Sequence, residues 1–153
     1  MTMQFRPMQL QDLPAVARLE QAICITPWTL GIFRDCVASG YDGWVLVDDD
    51  NGEIVGYAML SVAAGEAHLL NLGIAAHLRR QGLGRRLAQR MIDLARQLGT
   101  QVIFLEVRVS NHIAQALYQS MGFTQIGLRK AYYRDLYACE DALVLALRFD
   151  LGG

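Results

Sequence analysis

Three groups of residues have types and spacing that could do chemistry. The first is Arg79-Arg80-Gln81-Gly82-Leu83-Gly84-Arg85-Arg86, which reads as the junction between a strand and a helix. At such a junction the N–H groups of the first helical turn point outward and the helix dipole favours negative charge, so glycines let a phosphate approach the backbone. A dinucleotide fingerprint would need a third glycine where Leu87 stands, and a Walker loop would need Gly-Lys-Ser/Thr at its end, so both nucleotide readings fail. The alternative is an ordinary loop before a solvated basic helix start. Arginines in a first turn oppose the dipole, however, and a bound polyanion would explain them.

Glu106 and Tyr118 are the second and third. In the segment Val102 to Val109, residues Ile103, Leu105, Val107 and Val109 form one apolar face, while the other passes from Val102 and Phe104 to Glu106 and Arg108. Glu106 therefore stands near the C-terminal end of a strand, where open α/β sheets place ligands. The alternative is a solvated strand end on which Glu106 pairs with Arg108. Tyr118 shares a helical stripe with Ala114, Leu117 and Met121, which suits a core aromatic, although its hydroxyl still needs a partner. His68, His77 and His112 lack metal-ligand spacing and no Ser-His-Asp arrangement is legible, so neither a metal nor a covalent nucleophile is assigned. Cys24, Cys36 and Cys139 are odd in number and far apart, which suits buried reduced thiols.

The elements that must position these groups follow from periodicity. Met3 to Met8 reads as a strand. Leu10, Leu13, Val16, Ala17, Leu19 and Ile23 recur at helical spacing, and a second short helix is expected from Thr29 to Ser39. Trp44 to Asp48 and Glu53 to Val62 flank Asp49-Asp50-Asn51-Gly52, the signature of a hairpin. A strand over Ala67 to Ile74, a helix from Leu83 to Leu98 closed by Gly99, and the strand Val102 to Val109 come next. Ser110-Asn111 then caps a helix ending at Met121-Gly122, and strands near Thr124 to Tyr133 and Ala142 to Phe149 complete the order βααβββαβαββ. This interleaving implies an α/β fold, a sheet with helices on both faces and at least one parallel strand pair around the Leu83 helix.

Composition bounds what such a fold can serve. The chain has 153 residues, 53% hydrophobic and 19% charged, with a formal net charge of -1. No global cationic field drives it onto nucleic acid or anionic lipid, so any anion site is local. Thirteen of its fourteen basic residues are Arg, and five of these fall within residues 79–90. No apolar stretch reaches the roughly 20 residues needed to span a bilayer, and Arg6, Asp12, Arg18 and Glu20 interrupt any export signal. No repeat or linker divides the chain. A single domain over residues 1–153, cytoplasmic in location, is the expectation.

Arg79-x-x-Gly82-x-Gly84 after Leu69-Leu70-Asn71-Leu72-Gly73-Ile74 resembles the pyrophosphate-binding signature of the GCN5-related N-acetyltransferase (GNAT) family. The element order is similar to that fold, with its central mixed, mostly antiparallel sheet, over essentially the whole chain. More narrowly, Pro27-Trp28, Arg80 to Arg85, Leu105-Glu106-Val107-Arg108, Ser110-Asn111, Ala116-Leu117-Tyr118, Gly122-Phe123, Tyr132-Tyr133 and Glu140-Asp141-Ala142 together resemble the bacterial ribosomal-protein alanine N-acetyltransferases. One departure is Ala75-Ala76, where relatives commonly carry Asp-Pro or a similar turn.

The resemblance implies acetyl-CoA as co-substrate. The backbone of Arg80, Gln81, Gly82, Leu83, Gly84 and Arg85 would hold the pyrophosphate, while Leu72, Gly73 and Ile74 would pair with the pantetheine arm as an added strand. Gly73 alone is explained equally by a close approach, a bulge or simple packing. The resemblance also implies Glu106 as general base, directly or through water, Tyr118 as general acid beside the coenzyme sulfur, and a backbone N–H near Leu72 to Ile74 for the oxyanion. Asn111 could reach the coenzyme or cap its helix. Trp28, Tyr132, Tyr133 and Tyr137 could line a peptide groove, although adjacent aromatics in a strand often face opposite sides of the sheet.

The implied activity is direct acetyl transfer to a protein α-amine, with the N-terminal alanine of a small-subunit ribosomal protein as substrate and neither nucleic acid nor membrane as partner. An α-amine, with a reference pKa of about 7.7 to 8.0 against about 10.4 for lysine, is the easier nucleophile for a single carboxylate base. The competing readings are an acetyltransferase for a small amine or a lysine side chain, and a non-catalytic acyl-CoA-binding module. Retention of both Glu106 and Tyr118 weighs against the last.

Overall fold

Local signals set the element ends in the computed structural model, which describes residues 2–134 and 139–149. Strand β1 (Met3–Pro7) leads through a 3-10 turn (Leu10–Asp12) into α1 (Leu13–Ile23). Leu10 does not join the apolar face of α1 as its spacing predicts: it lies in the turn and is 68% exposed. Reciprocal bonding between Gln9 and Asp12 shapes that turn, and Pro14 fixes the helix start just beyond it. Helix α2 (Leu30–Ala38) begins where the Thr29 hydroxyl accepts the Ile32 N–H at 3.2 Å.

Then come β2 (Asp42–Asp48), β3 (Ile54–Ala63), β4 (Glu66–Ile74), α3 (Leu83–Gln97), β5 (Val102–Arg108), α4 (His112–Ser120), β6 (Thr124–Arg134) and β7 (Cys139–Arg148). The α/β order is the expected one, with seven strands and four helices among the described residues, and the strands pair mostly antiparallel. β7 starts earlier than Ala142 because its first residues pair with β6, with Cys139 opposite Arg134.

The chain forms two compact units. One comprises the residues through Ser61 together with Leu69–Met91; the other comprises Val62–His68 and the chain from Ile92 onward. In the first unit β1, β2 and β3 pair in sequence, with Phe5 opposite Leu46 and Trp44 opposite Ala58. Its core is Leu13, Val16, Phe33, Val45, Tyr57 and Met59, none more than 1% exposed. Phe33 joins Trp28 and Tyr57 edge to face at 5.2 and 6.0 Å. Truncating such a ring to alanine costs about 3–5 kcal/mol.

In the second unit β7 lies between β5 and β6, with Leu105 opposite Leu145 and Thr124 opposite Ala146. The alternation expected of β5 is present: Ile103, Leu105 and Val107 are buried, while Glu106 and Arg108 are half-buried.

Candidate active site

In the first unit the arginine-rich loop is shaped by its backbone. The Ala75 N–H donates to the Val55 carbonyl at 2.8 Å and ties the end of β4 to β3. A 3-10 turn over Ala76–Leu78 follows and buries Leu78. Arg79 is extended, Arg80 has φ +66° and Gly82 has φ +77°. Left-handed residues interspersed with ordinary ones aim neighbouring N–H groups to one side and make an anion-binding concavity. The first rung of α3 runs from the Arg86 N–H to the Gly82 carbonyl at 3.1 Å, so the N–H groups of Leu83 and Gly84 precede the helical ladder.

An arginine in the left-handed region costs of order 1 kcal/mol, and strain of this kind gathers at functional sites. A Cβ on Gly82 would meet nothing within 4 Å, so glycine is required there by φ and not by crowding. Leu83 anchors the loop by burial, while Arg79, Arg80, Gln81, Arg85 and Arg86 face solvent.

On β4, Leu72 is half-buried and Gly73 and Ile74 are buried. A Cβ on Gly73 would fall on the Tyr57 hydroxyl and ring and lie 2.8 Å from Ile23 Cδ1. Of the explanations open for this glycine, close packing against Tyr57 is the one the structure displays. Beside it lies a cluster that sequence reasoning missed. Glu20 is 1% exposed and accepts from the Tyr57 hydroxyl, from Asn71 Nδ2 at 3.1 Å to both oxygens, from the Trp28 N–H at 2.8 Å and from the Cys24 thiol at 3.2 Å. Burial, then the hydrogen bond and charge of Glu20, push the Tyr57 hydroxyl far above the ordinary tyrosine range. The available signal was a carboxylate four residues after Val16 and three before Ile23, on the apolar stripe of α1.

In the second unit Glu106 Oε1 lies 3.2 Å from Arg129 Nη1, and the two side chains are 20% and 54% exposed. The Arg129 guanidinium also sits 4.2 Å from the centroid of the Tyr132 ring. The alternative pairing of Glu106 with Arg108 is corrected. Arg108 bonds Glu140 instead, at 3.1 Å, and Glu140 accepts the Ser110 N–H at 2.7 Å. Arg108 reaches Glu140 on the adjacent β7, while the long Arg129 side chain reaches Glu106 from β6, across β7. Hydrogen bonds from Ser110 and then Arg108 hold the Glu140 carboxyl below the usual carboxylate range.

Tyr118 is the buried residue of α4, and its ring meets Phe123 edge to face at 5.6 Å. The Tyr118 carbonyl accepts the Phe123 N–H at 3.0 Å, which fixes the end of α4 against the start of β6. Asn111 caps α4 by accepting the Ala114 N–H at 3.1 Å, as one of its two readings expects. Trp28 packs on Phe33 and Tyr132 is 43% exposed; the Tyr133 side chain and Tyr137 lie outside the described residues. Cys36 is buried, but Cys24 is half-buried, with its thiol donating to Glu20; the Cys139 side chain lies outside the described residues. Among the described residues no three His, Cys, Asp or Glu side chains gather as they would around a metal, and no helix is long and apolar enough to cross a membrane.

The chain is similar to known proteins along its length. It is 36% identical over 140 residues, 92% of this chain and 93% of the other, to the [ribosomal protein bS18]-alanine N-acetyltransferase of Escherichia coli K12. It is 31% identical over 136 residues, 88% and 91% of the two chains, to the protein of the same name from Haemophilus influenzae. The crystal structure of the ribosomal-protein-S18-alanine N-acetyltransferase from E. coli superposes with a TM-score of 0.91 at 34% identity, covering 99% of this chain and 97% of that one. Arabidopsis thaliana NAA60 in complex with acetyl-CoA shares the fold at a TM-score of 0.88 and 18% identity, covering 96% and 98%. Residues 12–123 match the acetyltransferase (GNAT) family, and the chain belongs to that family.

Proposed function

We propose that the protein transfers the acetyl group of acetyl-CoA directly to the α-amine of the N-terminal alanine of ribosomal protein bS18, as one catalytic domain acting in the cytoplasm where ribosomal proteins are made. The observation that carries this reading is the likeness to the E. coli bS18-alanine N-acetyltransferase along nearly the whole of both chains. The loop geometry adds physical support, since left-handed Arg80 and Gly82 precede a helix start whose leading N–H groups suit a pyrophosphate.

In this reading Arg80, Gln81, Gly82, Leu83, Gly84 and Arg85 hold the pyrophosphate, and Leu72, Gly73 and Ile74 present backbone groups to the pantetheine amides. Asn111 supports the site by capping α4. Glu106 takes the proton of the incoming ammonium, directly or through one water. The amine nitrogen then forms its bond to the thioester carbon, a backbone N–H near Leu72 to Ile74 stabilises the oxyanion, and the C–S bond breaks. Tyr118 gives its proton to the departing thiolate and takes one back from the tetrahedral nitrogen, while Glu106 passes its proton to solvent, so the products are the N-acetylated chain and coenzyme A. Glu106 suits its task because it is only one-fifth exposed yet reaches solvent.

Two peptides with the bS18 N-terminal sequence test the reading. One beginning with unmodified alanine is acetylated once by acetyl-CoA, as mass spectrometry would read. The same peptide with a blocked N-terminus and an internal lysine stays unmodified. Equal labelling of the blocked peptide, or activity confined to small amines, would remove the α-amine specificity.

A further inference from the structure

Glu20 is an expensive residue to place in α1. A carboxylate at 1% exposure has lost its water, and burying it is unfavourable unless hydrogen bonds replace that water. Here they come from neutral donors in four places: Cys24 beyond the end of α1, Trp28 ahead of α2, Tyr57 in β3 and Asn71 in β4. The Asn71 amide nitrogen and the Trp28 N–H can only donate, so both carboxyl oxygens of Glu20 are engaged as acceptors. An apolar residue would pack α1 against the core without needing these bonds, so the carboxylate serves something other than helix packing.

What it holds is β4. Asn71 directly precedes Leu72, and the Tyr57 hydroxyl bonded to Glu20 is the group that fills the space beside Gly73. The strand thus has its depth set at Gly73 by Tyr57 and its register set at Asn71 by the carboxylate. Both constraints act on the three residues assigned to the pantetheine arm, while the Arg80–Arg85 loop receives neither.

We propose that Glu20 is a positioning residue for acetyl-CoA: it fixes the pantetheine-binding edge of β4 by anchoring Asn71 and Tyr57, and it leaves the phosphate loop unaffected. The inference rests on the assignment of Leu72, Gly73 and Ile74 to the pantetheine arm.

Two ligands separate positioning from general structure: acetyl-CoA, and 3′-phosphoadenosine 5′-phosphate, which carries phosphates but no pantetheine. Glu20→Gln keeps the shape and sets an amide N–H₂ against donors, so acetyl-CoA affinity by calorimetry should fall about tenfold, with the shorter ligand unchanged. Glu20→Gln combined with Asn71→Asp returns a carboxylate to the cluster from the β4 side and should recover most of the loss. If Glu20→Gln does not fold, Tyr57→Phe removes one donated bond, keeps the ring and should give a smaller, roughly threefold loss with the same ligand selectivity. Equal weakening of both ligands, or unchanged acetyl-CoA affinity, would overturn the proposal. Wild-type protein that binds acetyl-CoA no more tightly than the shorter ligand would instead remove the pantetheine assignment, and this inference with it.

Discussion

In the proposed reading the binding groups at Arg80 to Gly84 are backbone N–H groups aimed by two left-handed residues, whereas at Glu106 and Tyr118 they are side-chain atoms aimed by strand register and helix packing. The first region can change side chains and keep its function so long as its dihedrals survive. The second can relax its surroundings but cannot exchange an acid or a base. Binding and chemistry should therefore respond to different kinds of substitution, and the comparison can be broken by any variant that moves both together.

The largest effect is expected at Tyr118. Tyr118→Phe removes one oxygen and keeps the ring on Phe123, so turnover should fall by roughly 10²- to 10⁴-fold, the usual worth of a general acid. Acetyl-CoA affinity should hold, and calorimetry beside steady-state rates reads both. Turnover near that of the wild type would leave Tyr118 as a core aromatic alone. Next is Glu106→Gln, with a loss of about 10²-fold at neutral pH. An α-ammonium of pKa about 7.7 to 8.0 deprotonates unaided above that range, so the defect should shrink as pH rises. An unchanged pH profile with a raised KM would make Glu106 a substrate-binding residue.

The converse belongs to the loop. Gly82→Val places a β-branched residue at φ +77°, where its Cβ meets nothing within 4 Å but its backbone is strained. Acetyl-CoA affinity should drop about tenfold, with maximal turnover retained at saturation. Asn tolerates the left-handed region, so Gly82→Asn should lose clearly less. Equal losses from the two variants would show that the side chain matters there and would erase the contrast with Glu106.

These regions also differ in how legible they were. The Gly-rich loop, the hairpin at Asn51-Gly52 and the alternation of β5 depend on neighbours within a few residues, and such periodicities are written in the sequence itself. Glu106 could be placed at a strand end for the same reason. Its pairing with Arg129, 23 residues away, could not, because it depends on the order and register of three strands, β5, β7 and β6, and the nearer Arg108 was the plausible local partner. The Glu20 cluster was less visible still. It joins groups 37 and 51 residues apart, and only the mismatch of a carboxylate on an apolar stripe hinted at it. The left-handed Arg80 has no sequence signal, since arginine does not favour that conformation and surrounding structure imposes it.

The smallest predicted effect concerns stability. Asp12 in the first unit is 6% exposed and takes a bidentate pair from Arg6 at 2.7 and 2.9 Å, plus the Gln9 N–H at 2.8 Å. Glu140 in the second is similarly bonded, but its side chain is 21% exposed. The Arg6 hydrogen bonds, aided by Gln9, hold the Asp12 carboxyl below its ordinary range despite its burial. A carboxyl whose folded-state value is lowered contributes stability above its unfolded value of about 3.9, and that contribution disappears as pH falls through the lowered folded-state value. Asp12→Asn should therefore cost about 1 kcal/mol at pH 7, a modest figure because solvent screens the one-third-exposed Arg6. Thermal unfolding of the two proteins should converge below pH 4, and Glu140→Gln should lower Tm less than Asp12→Asn at pH 7. A gap between wild type and Asp12→Asn that stayed constant down to pH 2 would mean the carboxylate charge contributes nothing and the shape of the turn alone matters.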